Sequence, residues 1–439
     1  MSVMDTEEVK TSHAQIRFQE DGVYLKEGSA VVFMSWADLT LVMSEDHQVC
    51  FVDGMRRIVV RCSLCQVESD LAAYGMIRIN RQVIINLRHV KKIAGGTKAR
   101  IQLNNGQHYP ITRRRKLQVL QAHHGFLQQT CKRKSSTLRT LRRSIDTFGD
   151  EKLWTPSQSK VRAYLSRHPD LATDHFEAFQ FIAKTPACHW LGAWNNDLMQ
   201  ELRPMLVAAD AAREIPVFVI YRLLLRDETK TIQPNLWDLM LYKQWIRSLV
   251  QAVGHYKCII ILEPNALSMM DDEMPIEVQD IYYEALRYAI ACLRRQSQIL
   301  IYLDAGHSAW VDPMQMTVRL ARAGVDFAHG FAVNVSHFIH LDEIYEYGQT
   351  ISQILGGKPF VIDTSRNGQG IQDTRQWCNP PGVGLGRMPT LKPRMKGVDA
   401  FLWIKPPGES DGGGKNKSTK DGEWLPARAW ELIRMAKMS

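Results

Sequence analysis

The sequence predicts two unlike domains, a mostly antiparallel β domain followed by a parallel α/β barrel of the TIM type. Three observations carry that prediction. At 439 residues the chain exceeds the usual size of one domain. Residues 15–121 alternate as short strands broken by turn-formers, whereas from residue 172 apolar strand runs alternate with helical ones. Charge divides along the same line: residues 1–145 carry 23 Lys+Arg against 12 Asp+Glu, and the remaining 32 and 34 lie beyond. No acidic residue falls in 91–145. A basic half beside a near-neutral half points to a polyanionic partner, with a solvated basic face as the bland alternative.

In the first half, strands are expected over 16–19, 22–28, 30–44, 48–54, 56–62, 83–87, 90–96, 99–106 and 108–113. Apolar and polar side chains alternate there, as a half-buried strand requires. Asp21-Gly22, Asp53-Gly54, Gly95-Gly96 and Asn105-Gly106 supply the turns. Residues 63–75 are the one helix-like piece. No helix-turn-helix pattern occurs, so DNA would be read through loops or strands.

The stretch from Met76 to Leu87, then His89-Val-Lys-Lys-Ile93, then Tyr109-Pro-Ile-Thr-Arg-Arg-Arg115, resembles the LytTR DNA-binding domain. The resemblance covers about residues 13–125. It implies three DNA-reaching loops, with contacts at His47, Arg81 and Arg114, and phosphate contacts from Arg113, Arg115 and Lys116. Asn80 stands where the family has His and Gln82 where it has Ser, which bears on base preference. Promoter DNA is the implied partner, and the family's paired sites imply a homodimer.

Residues 126–171 read as a basic, partly helical linker, in which Leu138, Leu141 and Ile145 recur at helical spacing. The eight cysteines follow no disulfide spacing. Cys62-x-x-Cys65 lacks a second pair or nearby histidines and is read as structural, so no metal or cofactor is expected. The N-terminus lacks the apolar core of a signal peptide and no run is long enough to span a bilayer. A reducing cytoplasm and no membrane contact are the expectation.

Beyond residue 172 the strands are expected at 215–221, 258–264, 299–306, 327–335, 360–366 and 400–406, with helices between them. Near-continuous apolar strands separated by helices argue for a parallel sheet covered on both faces. In such barrels the residues just past the strand C-termini build the site. Polar and aromatic residues gather there, at 221–227, 263–265, 304–310, 334–336, 363–367 and 405–411.

Those strings (VIY-x4-RD, ILEP-x-AL, YLDAGHSAW, VIDTSRNGQG, WCNPPGVGLG and WIKPPGESDG) resemble glycoside hydrolase family 6 over residues 172–437. That family comprises inverting β-1,4-glucanases with a distorted parallel α/β barrel. The resemblance implies sugar platforms at Trp190, Trp310 and Trp377. It implies sugar-binding polar groups at His307, Asn334, Lys405 and Glu409. Tyr221 would press on the sugar ring, Asp227 would tune the acid, and Asp411 would be the base.

The family's general acid falls on Asn265. An amide has no proton to release, although it still donates and accepts hydrogen bonds. A water-holding serine loop after Asp227 and a cysteine after Asp411-Gly412 are also missing. These departures lead to an expectation of a protein that is not an enzyme: a DNA-binding regulator whose silenced glucanase domain senses cello-oligosaccharides. The rivals are an active intracellular glucanase, with Asp227 or Asp411 as acid, and a regulator whose barrel takes another effector such as a cyclic dinucleotide.

Overall fold

The computed structural model describes residues 15–436 apart from 20, 29, 47, 55, 95–98, 124, 125, 127–147, 149, 224–233, 271–273, 297, 372, 374 and 413–418. The chain divides into two compact units, residues 1–134 and 135–439. The amphipathic helix expected around Leu138, Leu141 and Ile145 lies outside the described residues.

The first unit is built from three antiparallel sheets. One joins β1 (Ile16–Phe18), β2 (Gly22–Glu27) and β3 (Ala30–Ser35). A second has the order β6-β5-β4-β8-β7, from β4 (Leu41–Glu45), β5 (Gln48–Val52), β6 (Arg57–Val60), β7 (Met76–Arg78) and β8 (Val83–Asn86). The third joins β9 (Val90–Ala94), β10 (Arg100–Leu103) and β11 (His108–Pro110). Helix α1 (Leu64–Ala72) starts from a capping box between Ser63 and Gln66 and buries Leu64, Val67 and Leu71.

Two expectations change here. The run 30–44 is two strands, because residues 36–38 turn between β3 and β4. Fully buried Asn86 stabilises that turn by donating to the carbonyls of Trp36 (2.8 Å) and Leu39 (2.7 Å), and the Trp36 indole donates to Gln19 O. A second helix, α2 (116–123), follows the arginine run and buries Val119 and Leu120. The basic residues before it left only a short apolar stripe to read.

In the second unit seven parallel strands curl into a distorted barrel, in the order β13 (His189–Gly192), β15 (Val217–Tyr221), β16 (Cys258–Leu262), β17 (Ile299–Asp304), β18 (Gly330–Val333), β19 (Phe360–Asp363) and β20 (Val398–Leu402). Cys188 N–H donates to Trp403 O at 3.0 Å, which ties the first strand to the chain leaving the last. Side chains alternate between the two faces along most of each strand. Val217, Val219, Ile259, Ile261, Leu300, Tyr302, Val361, Ala400 and Leu402 fill the interior. Phe218, Ile260, Ile301, Phe331 and Ile362 face the outer layer.

That layer includes α5 (Leu198–Ala212), α6 (Leu236–Val253), α7 (Ile276–Leu293), α8 (Pro313–Ala323) and α9 (Leu341–Ile354). Strands buried on both faces explain the continuous apolar runs of the sequence. Strand β13 escaped notice because His189 and Trp190 interrupt its run. Within the stretch read as linker, β12 (Lys152–Leu153) pairs with β14 (Glu214–Ile215), and α3 (Lys160–Arg167) packs against α4 (Thr173–Lys184) and Trp424.

Candidate functional site

Strand alternation decides what reaches the barrel mouth. Continuing the interior column by one step brings Tyr221, Asp304 and Asp363 to the tops of β15, β17 and β19. Glu263, Asn265, Asn334 and Ser336, just past β16 and β18, hold left-handed φ values of 52°, 69°, 64° and 63°. Backbone strain of this kind costs of order 1–3 kcal/mol per residue and persists where the surroundings enforce it.

Hydrogen bonds explain the enforcement. Asp363 accepts from the backbone N–H of Ser365 and Ile404 through Oδ1, and of Ser336 and Lys405 through Oδ2. Asp304 Oδ2 accepts from Asn265 N–H at 2.8 Å and Gly306 N–H at 3.2 Å. Glu263 Oε2 takes the N–H groups of Arg222 and Leu223. Burial outweighs these bonds and pushes the carboxyls of Glu263 and Asp304 up to about 7, so both titrate near neutrality.

Asp411, on β21 (Glu409–Asp411), accepts from Arg366 Nη1 (2.8 Å to Oδ1) and from Asn379 N–H (3.0 Å to Oδ2). Arg366 is only 1% exposed, lies 4.4 Å from the Phe338 ring centroid and donates to Ser336 O. Lys405 Nζ reaches Asp421 at 2.8 Å and stands over the Trp190 ring. Glu409 is held by Lys160 of α3 at 3.0 Å. His307 and His337 lie with ring centroids 4.2 Å apart, next to Trp310. Burial pushes the His307 imidazole down to about 4 and His337 well below its ordinary value, which keeps both neutral.

Several buried polar atoms at this mouth have no hydrogen-bond partner among the described residues: Asn265 Oδ1, Asp304 Oδ1, His307 Nδ1, Ser336 Oγ, His337 Nε2 and Arg366 Nε. Each such atom costs about 1–3 kcal/mol when left unpaired. Exposed indoles flank them, Trp310 at 41% and Trp377 at 49%. Trp194, 57% exposed just past β13, joins them although the sequence reading passed over it.

Other expected site residues are placed differently. Trp190 is half-buried, its indole donates to Ile404 O and its ring packs edge-on against Tyr221, so it walls the cleft. Asn334 is fully buried and spends its amide on Asp363 O and the Ile339 backbone, so no hydroxyl contact is available from it. Asp227 lies outside the described residues. Among the described residues no group of three or more His, Cys, Asp or Glu gathers as metal ligands.

In the first unit, Thr112 N–H donates to Ile79 O and Asn80 Nδ2 to Pro110 O, so loop 79–82 adjoins residues 110–115. Ser44 N–H donates to Gln82 O, which brings the β4–β5 hairpin alongside. Arg81, Arg113 and Arg114 are exposed here, and His47 lies outside the described residues. Arg115 departs from the expected phosphate contact. It pairs with Glu68 at 2.6 Å, and Glu68 also holds Arg78. Arg78 in turn donates to the carbonyls of Asn80 and Arg81, bracing the loop that presents Arg81.

Comparison with known proteins adds the lineage of these parts. Residues 148–436 match the family described as glycosyl hydrolases family 6, and residues 29–123 match the LytTr DNA-binding domain. Endoglucanase A of Cellulomonas fimi is 36% identical over 258 residues, 58% of this chain and 56% of that protein. Endoglucanase A of Thermobispora bispora is 34% identical over 260 residues, with the same shares. The chain thus spans just over half the length of these relatives. The solved endoglucanase Cel6 of Mycobacterium tuberculosis, in complex with methyl-cellobiosyl-4-deoxy-4-thio-β-D-cellobioside, is 32% identical with a TM-score of 0.61, covering 66% of this chain and 99% of that one. These likenesses to endoglucanases overturn the expectation that the chain is not an enzyme. That expectation gave three local departures, at the acid position, the serine loop and the lost cysteine, more weight than the rest of the barrel, and the likeness points to a glucanase.

Proposed function

From the premise that this chain belongs to glycosyl hydrolases family 6 and carries a LytTR DNA-binding domain, we propose a DNA-binding regulator whose barrel binds and slowly hydrolyses soluble β-1,4-glucan oligomers. The observation that supports this best is the set of buried, unpartnered polar atoms at the barrel mouth, flanked by exposed indoles. Sugars satisfy both features: hydroxyls pair with the polar atoms, and the axial C–H faces of glucose lie on flat rings.

In this reading Trp194, Trp310 and Trp377 stack glucosyl units, His307, Lys405 and Glu409 take hydroxyls, and Tyr221 presses on the ring at the cleavage point. Asp411 accepts the proton of the attacking water, while Arg366 fixes its orientation. Asn265 gives no proton, and losing general acid catalysis costs ~10²–10⁴ in rate. Slow turnover lengthens the stay of an oligomer in the cleft, which suits a signal. A bound oligomer changes DNA affinity only through different affinities for two states of the protein. Arg81, Arg113 and Arg114 contact the duplex, two copies act on paired sites, and the compartment is the cytoplasm.

A mobility-shift titration on the DNA upstream of the chain's own coding sequence, run with and without cellohexaose, tests this reading together with a reducing-end assay on the same preparation. Sequence-selective shifts that respond to cellohexaose, with measurable new reducing ends, are expected. A sugar-blind shift without any cellohexaose turnover would remove the barrel's proposed role.

A further inference from the structure

An inverting glucanase needs a proton for the departing oxygen, and Asn265 has none to give. We propose that Asp304 is the proton donor of this site, an inference that rests on the hydrolytic reading above.

Among the described residues four buried or nearly buried carboxyls reach the mouth, and their contacts separate them. Asp411 faces Arg366 and the Asn379 N–H, so it presents acceptors rather than a proton. Both oxygens of Asp363 are taken by backbone N–H groups. Glu263 has Oε2 on the Arg222 and Leu223 amides; its Oε1 is likewise unpartnered among the described residues, but the carboxyl faces Tyr242 of α6, a residue of the outer core. Asp304 continues the interior column of β17 above Leu300 and Tyr302. Its Oδ2 accepts from the Asn265 backbone itself, at 2.8 Å, and from Gly306. Two donors on Oδ2 leave the proton to Oδ1, and Oδ1 is buried with no acceptor among the described residues. The missing acceptor is an oxygen of the ligand.

The Oδ1–H bond of Asp304 breaks and its proton goes to the glycosidic oxygen, as the C1–O bond breaks with its electron pair on the departing hydroxyl. Water forms the new bond to C1 and passes a proton to Asp411. After product leaves, solvent exchange returns a proton to Asp304 and removes one from Asp411. The groups facing Asp304 are Asp363 from β19, Tyr347 from α9 and the backbone N–H groups of Asn265 and Gly306.

The test compares the full chain, D304N, N265D and D304N/N265D on two substrates. Cellohexaose needs a protonated leaving group, whereas the 2,4-dinitrophenolate of 2,4-dinitrophenyl β-cellobioside departs as a stable anion without protonation. For D304N, cellohexaose turnover should fall about 10²–10⁴-fold while aryl turnover stays within about tenfold, and adding N265D should restore the cellohexaose rate. Cellohexaose rates within about threefold of the unmodified chain would overturn the proposal. So would equal loss on both substrates without rescue. Should D304N fail to fold, the unmodified chain decides: its cellohexaose rate should fall as pH rises through about 7 while its aryl rate does not. A flat alkaline limb on cellohexaose defeats the proposal. Aryl cleavage with no cellohexaose cleavage defeats the donor and leaves glucan binding standing; cleavage of neither defeats the hydrolytic reading itself.

Discussion

At the residue scale, the chemistry turns on a few atoms at the tops of β16 and β17. In the D304N background, Asn265→Asp returns a proton to the family's acid position, and cellohexaose turnover should rise about 10²-fold; an unchanged rate would mean that another step limits the cycle. The buried acids also set a stability profile. Glu263 and Asp304 titrate at about 7 in the fold, against ordinary values near 4, so the folded state holds their protons more tightly than the unfolded state. Their contribution is therefore complete below about pH 4 and is lost as pH rises to about 7. Urea midpoints of the isolated chain should fall between about pH 4 and about pH 7, and Glu263→Gln should flatten part of that slope; parallel profiles would contradict it. Trp310→Ala should raise the Kd for cellohexaose about tenfold without moving the thermal midpoint, since the ring is exposed.

At the element scale, the strands do the positioning. Interior and exterior columns alternate so regularly that Tyr221, Asp304 and Asp363 are carried to the mouth by register alone. Ile261→Ala, a truncation inside the barrel, should cost about 2–5 kcal/mol of unfolding free energy, measured by denaturant titration. In the first unit, Arg78 and Glu68 brace the loop that presents Arg81. Arg114→Ala should weaken DNA binding and lower its salt dependence with no change in thermal midpoint. Glu68→Ala should instead lower the midpoint, because it releases two arginines.

Much of this was legible in the sequence, and the gaps have physical causes. The β strands and barrel runs follow period-two alternation and continuous apolarity, which a sequence displays directly. Helix α2 and strand β13 were hidden because arginines precede one and His189 and Trp190 break the other. Motif matching pointed to Trp310, Trp377 and Asp411, which the fold places near the strand ends, yet it could not distinguish an indole facing solvent from one facing the barrel. Trp190 and Trp194 therefore changed places. Asn334 read as a sugar contact because an amide at a strand end suits hydroxyls, and only the fold reveals that Ile339 and Asp363 already occupy it. Arg115 is similar, since no local pattern announces its partner Glu68, 47 residues earlier.

At the scale of the whole molecule, excess positive charge in the first 145 residues and a near-neutral remainder fit one half that meets a polyanion and another that meets a neutral sugar. Among the described residues no helix is long and apolar enough to cross a membrane. The most direct test of the combined account is a titration of the full chain onto its upstream DNA, with and without saturating cellohexaose. A shift of the half-saturation point by about fivefold or more, in either direction, is the predicted result. Superimposable curves, with cellohexaose demonstrably bound, would contradict it.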